Sequence, residues 1–286
     1  MDSDGTPGVF TLLRVRHFER VKMYQFKENI NYNNFFKFKK SIIKNKLWAR
    51  LPPATRSVYP VIACHMNKSG KAFPSEQTIA ILTGCTEKSV REGLKGLLQM
   101  PDIKINSQIT PRGHRQKVYL FSPPQDNASV FYFYKNVIEG GNWRELRTQH
   151  NSRSAHGVYC TLFAFAYFDI ELYLDVMGYE FDGNGFDVSE FYHGDGMPIE
   201  SNDGKNLYIR YQTRTCDFVE ADIDVIAEYT GIGVGTAQKA MAALEAVDLI
   251  KPLSSKIWQI FRTPPRFYKR SYLNDKTQNQ FEKTTY

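Results

Sequence analysis

The chain has no cysteine pair at metal-binding spacing, no long apolar run and no leader-like opening. Its four cysteines, Cys64, Cys85, Cys160 and Cys216, stand far apart with no CxxC and no Cys/His cluster. That excludes a zinc finger and a disulfide framework, and fits buried thiols in a reducing cytosol. The longest apolar run, Val158 to Phe168, is too short to span a bilayer. The opening MDSDGTPGVF carries acids and no apolar core, so no secretory signal is expected there. GIGVG at Gly231 to Gly235 follows no apolar strand and lacks the third glycine of a dinucleotide loop. DGNGFDVSEF at Asp182 to Phe191 misplaces the ligands of a calcium loop, with Phe191 where the bidentate acid belongs. His193, Asp195, Tyr192 and Tyr211 have no HxH partner that would hold a metal for strand nicking. The expectation is a cytoplasmic protein without cofactor, metal or catalytic site, and with no membrane partner.

What the chain has is length, apolar content and an uneven charge. Its 286 residues are 42% hydrophobic, enough for two domains with cores. The net charge of +7 favours a polyanionic partner. From Arg14 to Arg50 eleven Lys/Arg face two Glu, whereas from Asp169 to Glu228 fifteen Asp/Glu face three Lys/Arg. One end suits phosphates and the middle does not.

Pro74 to Lys104 reads as two short helices joined by a tight turn and followed by a strand. Ser75 is a good N-cap, Ala80 permits close helix contact and Gly84 tolerates the turn. From Thr86 the second helix carries Val90, Leu94, Leu97 and Leu98 on one stripe. Its other face can enter a major groove, where base pairs display distinct donors and acceptors. Lys88 and Arg91 are the candidates for guanine. Thr86 and Ser89 suit phosphate or base, and Glu92, like Glu87, suits cytosine amino groups or pairing with Arg91 and Lys95. Strands at Ile103 to Ile109 and Lys117 to Phe121 form a hairpin wing, placing Arg112, His114, Arg115 and Lys117 over phosphates or the adjacent minor groove.

A basic, aromatic segment from Asn31 to Arg50 precedes this unit, and is either a nucleic-acid arm or a strand with solvated lysines. Arg153 to Met177 predicts a long core helix. At an offset of 147, Gln77 to Lys104 aligns without a gap on Asp224 to Lys251, pairing Ile79 with Ile226, Thr83 with Thr230, Gly84 with Gly231 and Leu97 with Leu244. This predicts a second helix-turn-helix with a wing over Ile250 to Thr263. Its recognition segment offers Thr236, Gln238 and Lys239, with Lys256 at the wing tip. The run AQKAMAALEA equally suits helix packing, so DNA contact, dimerisation and intramolecular packing all stand open there.

The run from Phe35 to Leu97, with its strand, helix, AFPS and helix-turn-helix, resembles the amino-terminal winged helix of plasmid and phage replication initiators. The repeat is similar to the tandem architecture of theta-type plasmid initiators. The resemblance implies an α+β, predominantly helical fold of two winged-helix domains that reads origin repeats in double-stranded DNA, switches between monomer and homodimer, and recruits host replication proteins without catalysis. The acidic stretch Asp169 to Glu228 departs from that pattern. The expected layout is an extension over 1–30, a first domain over 31–122, a linker over 123–152, a second domain over 153–265 with an acidic insertion at 178–206, and a basic tail over 266–286. A transcriptional regulator and a non-catalytic protein-interaction module built on winged helices are the alternatives.

Overall fold

The computed structural model describes residues 35–122, 129–167, 172, 176, 196–200, 207–211 and 216–262. The expected extension, the expected tail and most of the acidic insertion lie outside the described residues. Phe35, Phe36 and Phe38 alternate with lysines and form strand β1 (Phe35–Lys39). It leads into the short helices α1 (Lys40–Lys44) and α2 (Leu47–Arg50), which bury Ile42, Ile43 and Trp48. Among the described residues of this basic segment, Phe35, Phe36, Phe38 and Trp48 therefore pack inward and are not free to stack on bases. Helix α3 (Pro53–Cys64) starts on a proline, whose missing N–H is no loss in the first turn. It is buried along most of its length.

The first helix-turn-helix follows: strand β2 (Lys71–Ala72), helix α4 (Glu76–Thr83), helix α5 (Glu87–Leu97) and the hairpin β3 (Ile103–Ile109) and β4 (Arg115–Phe121). β2 pairs with β4, giving a three-stranded sheet in the order β2-β4-β3. Tyr59 of α3 donates a 2.7 Å hydrogen bond to the buried carboxylate of Asp102, fixing the start of the wing to the supporting helix.

The linker expected over 123–152 is corrected from Val130 onward. Strand β5 (Val130–Tyr134) pairs antiparallel with β1, and Phe36 stacks on Phe133 at 5.0 Å while Phe38 stacks on Phe131 at 4.7 Å. Helices α6 (Asn136–Glu139) and α7 (Asn142–Thr148) bury Val137, Ile138, Trp143 and Leu146. The polar surface of α7 disguised two large anchors at helical spacing. Helix α8 (Ala155–Phe165) is buried over ten residues, but it stops well short of Met177. Ala166 turns extended and Tyr167 bridges Phe218 through a pair of 2.9 Å backbone hydrogen bonds, which ends the helix.

Strands β6 (Gly196–Glu200) and β7 (Leu207–Tyr211) form an antiparallel pair in a separate small unit. The larger unit continues with β8 (Cys216–Glu220), helix α9 (Ile223–Thr230), helix α10 (Val234–Ala246), β9 (Ile250–Pro252) and β10 (Ile257–Phe261). Its sheet runs β8-β10-β9, the same arrangement as β2-β4-β3: the strand before the helix pair joins the second strand of the hairpin. The sequence repeat is thus matched position by position. Ile79 and Ile226, Thr83 and Thr230, and Leu97 and Leu244 are all buried. Gly84 and Gly231 both end their helices in the left-handed region, at φ 68° and 70°.

The two copies share one hydrophobic core instead of standing as domains on a tether. α8 lies between them. Buried Arg56 of α3 reaches across to the carbonyl of Thr230 at the end of α9. Thr230 in turn donates to Thr161 of α8 at 3.0 Å, and Thr161 donates to the Gly157 carbonyl, which also accepts from the Trp48 indole. Burial lowers the Arg56 guanidinium to about 10. A second bridge is the buried pair of Arg262 and Asp217 at 2.6 Å, with Arg262 also donating to the Tyr134 hydroxyl at 3.0 Å.

Candidate nucleic-acid interface

The candidate interface is built on α5, and two glycines set how deeply that helix sits. A Cβ at Gly93 would lie 2.8 Å from the Ala54 carbonyl oxygen, and one at Gly96 2.0 Å from the Thr55 hydroxyl. Thr55 donates to the Gly93 carbonyl at 3.0 Å. With Val90, Leu94 and Leu97, these glycines form the buried face, leaving Glu87, Lys88, Arg91, Glu92 and Lys95 exposed. Leu98 does not continue the apolar stripe. The helix ends at Leu97, and Leu98, at the C-cap, is 69% exposed.

Thr86 and Ser89 are held in a cap. The Thr86 hydroxyl accepts from the Ser89 N–H at 3.3 Å and lies 3.1 Å from the Ser89 hydroxyl. Ser75 does the same for Thr78 at 3.0 Å. Two of the first copy's expected DNA cations are already paired. Glu76, in the first turn of α4, binds Lys117 of β4 and lies 3.8 Å from Arg91 of α5, which also lies 3.9 Å from Glu87. Lys117, opposite Ser107 and two residues from the tip end of the ladder, is therefore tied to α4. Lys88, Lys95, Arg112, His114 and Arg115 are exposed and have no ion pair among the described residues.

The wing projects these last three. β3 pairs with β4 from Ile103 opposite Phe121 to Ile109 opposite Arg115. The tip is closed by the Gly113 N–H donating to Thr110 at 2.8 Å and the Thr110 N–H donating to His114 at 2.8 Å.

The second copy presents a different surface. Thr236, Gln238 and Lys239 are exposed on α10, while Ala237, Ala240, Met241, Ala243 and Leu244 face inward. The small-residue run is a packing face within the molecule. Lys256, at the second wing tip, pairs with Asp222 at 2.9 Å, and that hydrogen bond, with the acid's charge, raises its pKa. Lys256 is therefore engaged by the acidic approach to α9.

Ser57 and His156 form a contact at 2.7 Å that has the composition of a nucleophile and its base. Both are buried, and the other ring nitrogen of His156 donates to the Trp143 carbonyl at 2.7 Å, so the pair ties α3 to α7 and α8 within the core. Among the described residues, no three His, Cys, Asp or Glu side chains gather to hold a metal. None of the described helices is long and apolar enough to cross a membrane.

Residues 49–100, which run from α2 through α5, match the model of a helix-turn-helix domain family. No curated protein and no solved structure matches the chain. The match covers the first helix-turn-helix, and with Lys88, Arg91 and Lys95 exposed on α5 it supports a DNA-binding helix-turn-helix protein.

Sequence reading missed Glu76 as a member of this site. Its partners lie 15 and 41 positions away on other elements, so no local pattern couples them. An exposed ion pair contributes little to stability, about 0 to 1 kcal/mol. Its effect on DNA is larger, because Glu76 competes with phosphate for Arg91 and Lys117. Glu76→Gln is expected to raise affinity for random duplex by roughly 3- to 10-fold at low salt, with the gain fading as screening rises. Fluorescence anisotropy on an unrelated duplex at two salt concentrations measures this, and an unchanged affinity would show that the cluster lies off the interface.

Proposed function

We propose that the chain is a sequence-specific double-stranded DNA-binding protein that acts as a plasmid or phage replication initiator, reading origin repeats with α5 in the major groove. The observation that carries the reading is the duplicated order of helix, turn, helix and hairpin inside one chain, with a basic recognition face on the first copy. The first copy reads bases through Lys88, Arg91 and Lys95, with Thr86, Ser89 and Glu92 beside them, and its wing sits on the flanking backbone. The second copy supports it through the shared core and offers Thr236, Gln238 and Lys239 as an accessory surface. The proposed protein works in the cytoplasm without catalysis or cofactor, pairs as a homodimer, and recruits host replication proteins.

Selection of bound duplexes from random DNA, followed by a footprint on the region flanking the coding sequence, tests this. Direct repeats beside an AT-rich tract are the expected result. A palindrome over a promoter would make the protein a transcriptional regulator instead. With affinity measured against salt, an Arg91→Ala, Arg115→Ala double variant should bind more weakly, lose about one unit of salt slope with the phosphate contact of Arg115, since each such contact removes roughly 0.9, and relax the preference at the base that Arg91 reads. An unchanged affinity and slope would move the interface elsewhere and favour a protein-interaction role.

A further inference from the structure

We infer that the β3–β4 wing of the first copy is a wedge that inserts Ile109 into the minor groove and kinks the DNA. The inference rests on the DNA-binding reading above and assigns the wing tip a separate task. Ile109 is 76% exposed, more than any other large apolar side chain among the described residues. It stands at the last paired position of β3, directly opposite Arg115, with Arg112 and His114 in the adjoining turn.

From Asn106 to Ile109 every residue of β3 is exposed. These four residues extend about 13 Å at roughly 3.3 Å each, more than the roughly 7.5 Å depth of a minor groove. The hairpin carries no acid between Ile103 and Phe121. A protrusion with Arg112 at its tip, His114 and Arg115 beside it and one exposed isoleucine at the last ladder pair matches what a minor groove offers, with phosphates along the walls and stacked base edges at the floor. Apolar side chains inserted between base steps there unstack them and bend the duplex.

The internal repeat supplies the contrast. The second wing is short, its tip runs Leu253-Ser254-Ser255-Lys256, Leu253 is half-buried, and Lys256 is paired with Asp222. The two copies share a sheet order, so the length, charge and exposed isoleucine of the first wing are not demanded by the fold.

The test uses the full chain and the duplex recovered by selection, dye-labelled at both ends, with energy transfer reporting the bend. The wild-type protein is expected to bend the duplex by roughly 20° to 90°. Ile109→Ser should lose most of the bend and bind about tenfold more weakly, because insertion no longer offsets the energy of deformation. Ile109→Leu should keep both. On a duplex nicked at the wing position, where bending is nearly free, Ile109→Ser should bind within about twofold of wild type. A wild-type complex that is straight, or an Ile109→Ser complex bent as much as wild type, overturns the wedge and leaves the DNA-binding reading intact. Loss of self-association in Ile109→Ser with unchanged bending overturns it in favour of a protein contact. Failure of the wild-type chain to bind any duplex overturns both.

Discussion

Replacing Gly231 with alanine is expected to destabilise the protein by about 3 to 5 kcal/mol, a large share of the roughly 5 to 15 kcal/mol that holds a typical domain. Gly231 ends α9 at φ 70°, where a side chain costs about 1 to 2 kcal/mol. The larger part comes from what the new methyl would meet. A Cβ there lies 2.1 Å from the Ala49 carbonyl oxygen and 2.7 Å from its carbon, both backbone atoms of α2. Neither can rotate away, so the turn of the second copy must lift off α2 and open the shared core. Gly84→Ala, at the same turn of the first copy, should cost less. Its Cβ would meet the Thr148 methyl at 2.9 Å and the Arg144 carbonyl oxygen at 3.0 Å, contacts that a small shift of α7 relieves. Gly235→Ala is the opposite case. It lies in the first turn of α10 with nothing within 4 Å of its Cβ, and should gain roughly 0.5 to 1 kcal/mol from helix propensity. Urea unfolding followed by circular dichroism ranks the three. A Gly231→Ala midpoint equal to that of Gly84→Ala would mean that α9 and α2 are not in contact as described.

The same position shows what the sequence made legible. The repeat paired Gly84 with Gly231 at one offset, and local chemistry explains both: a helix stop needs a residue tolerant of positive φ. Caps, amphipathic stripes and hairpin breaks are signals of this short range, so α4, α5, β3, β9 and the cap residue Ser75 were all readable. What Gly231 touches was not, because Ala49 lies 182 positions away. The misreading of 123–152 has the same origin. β5 has no stable role until β1, some 90 residues earlier, offers its edge, and α7 reads as polar because Trp143 and Leu146 are buried by partners on other elements. The charges of α5 were visible as residue types, but the pairing of Arg91 and Lys117 with Glu76 depends on three elements converging. For α10, a run of small residues suits three kinds of close contact, and only the packing around Ala237, Ala240 and Ala243 assigns that face to the core.

A shared core also means that the two copies should fail together, and His156 gives the means to provoke it. The ring is fully buried, and desolvation holds its pKa down at about 4 against an ordinary 6.5. Nε2 donates to the Trp143 carbonyl and Nδ1 faces the Ser57 hydroxyl, so the folded protein accommodates the neutral ring. Above pH 6.5 the ring is neutral in both folded and unfolded chains and contributes no pH dependence. Between 6.5 and 4 the unfolded chain binds a proton that the folded chain does not, and stability falls as pH falls. The shift amounts to about 3 kcal/mol by the time pH 4 is reached. Buried Asp102 acts in the opposite sense, since burial raises its pKa and the folded state takes up its proton first. The histidine contribution is therefore isolated by comparison with His156→Gln, which lacks the titration but is less stable at neutral pH. The stability difference between wild type and variant should narrow steadily from pH 7 to pH 4. If the second copy rests on the first as the core indicates, probes in the two copies, the Trp48 and Trp258 fluorescence among them, should report one transition at every pH. Parallel profiles for wild type and variant would mean that the ring titrates alike in the folded and unfolded chains, and separate transitions would mean that the copies fold independently.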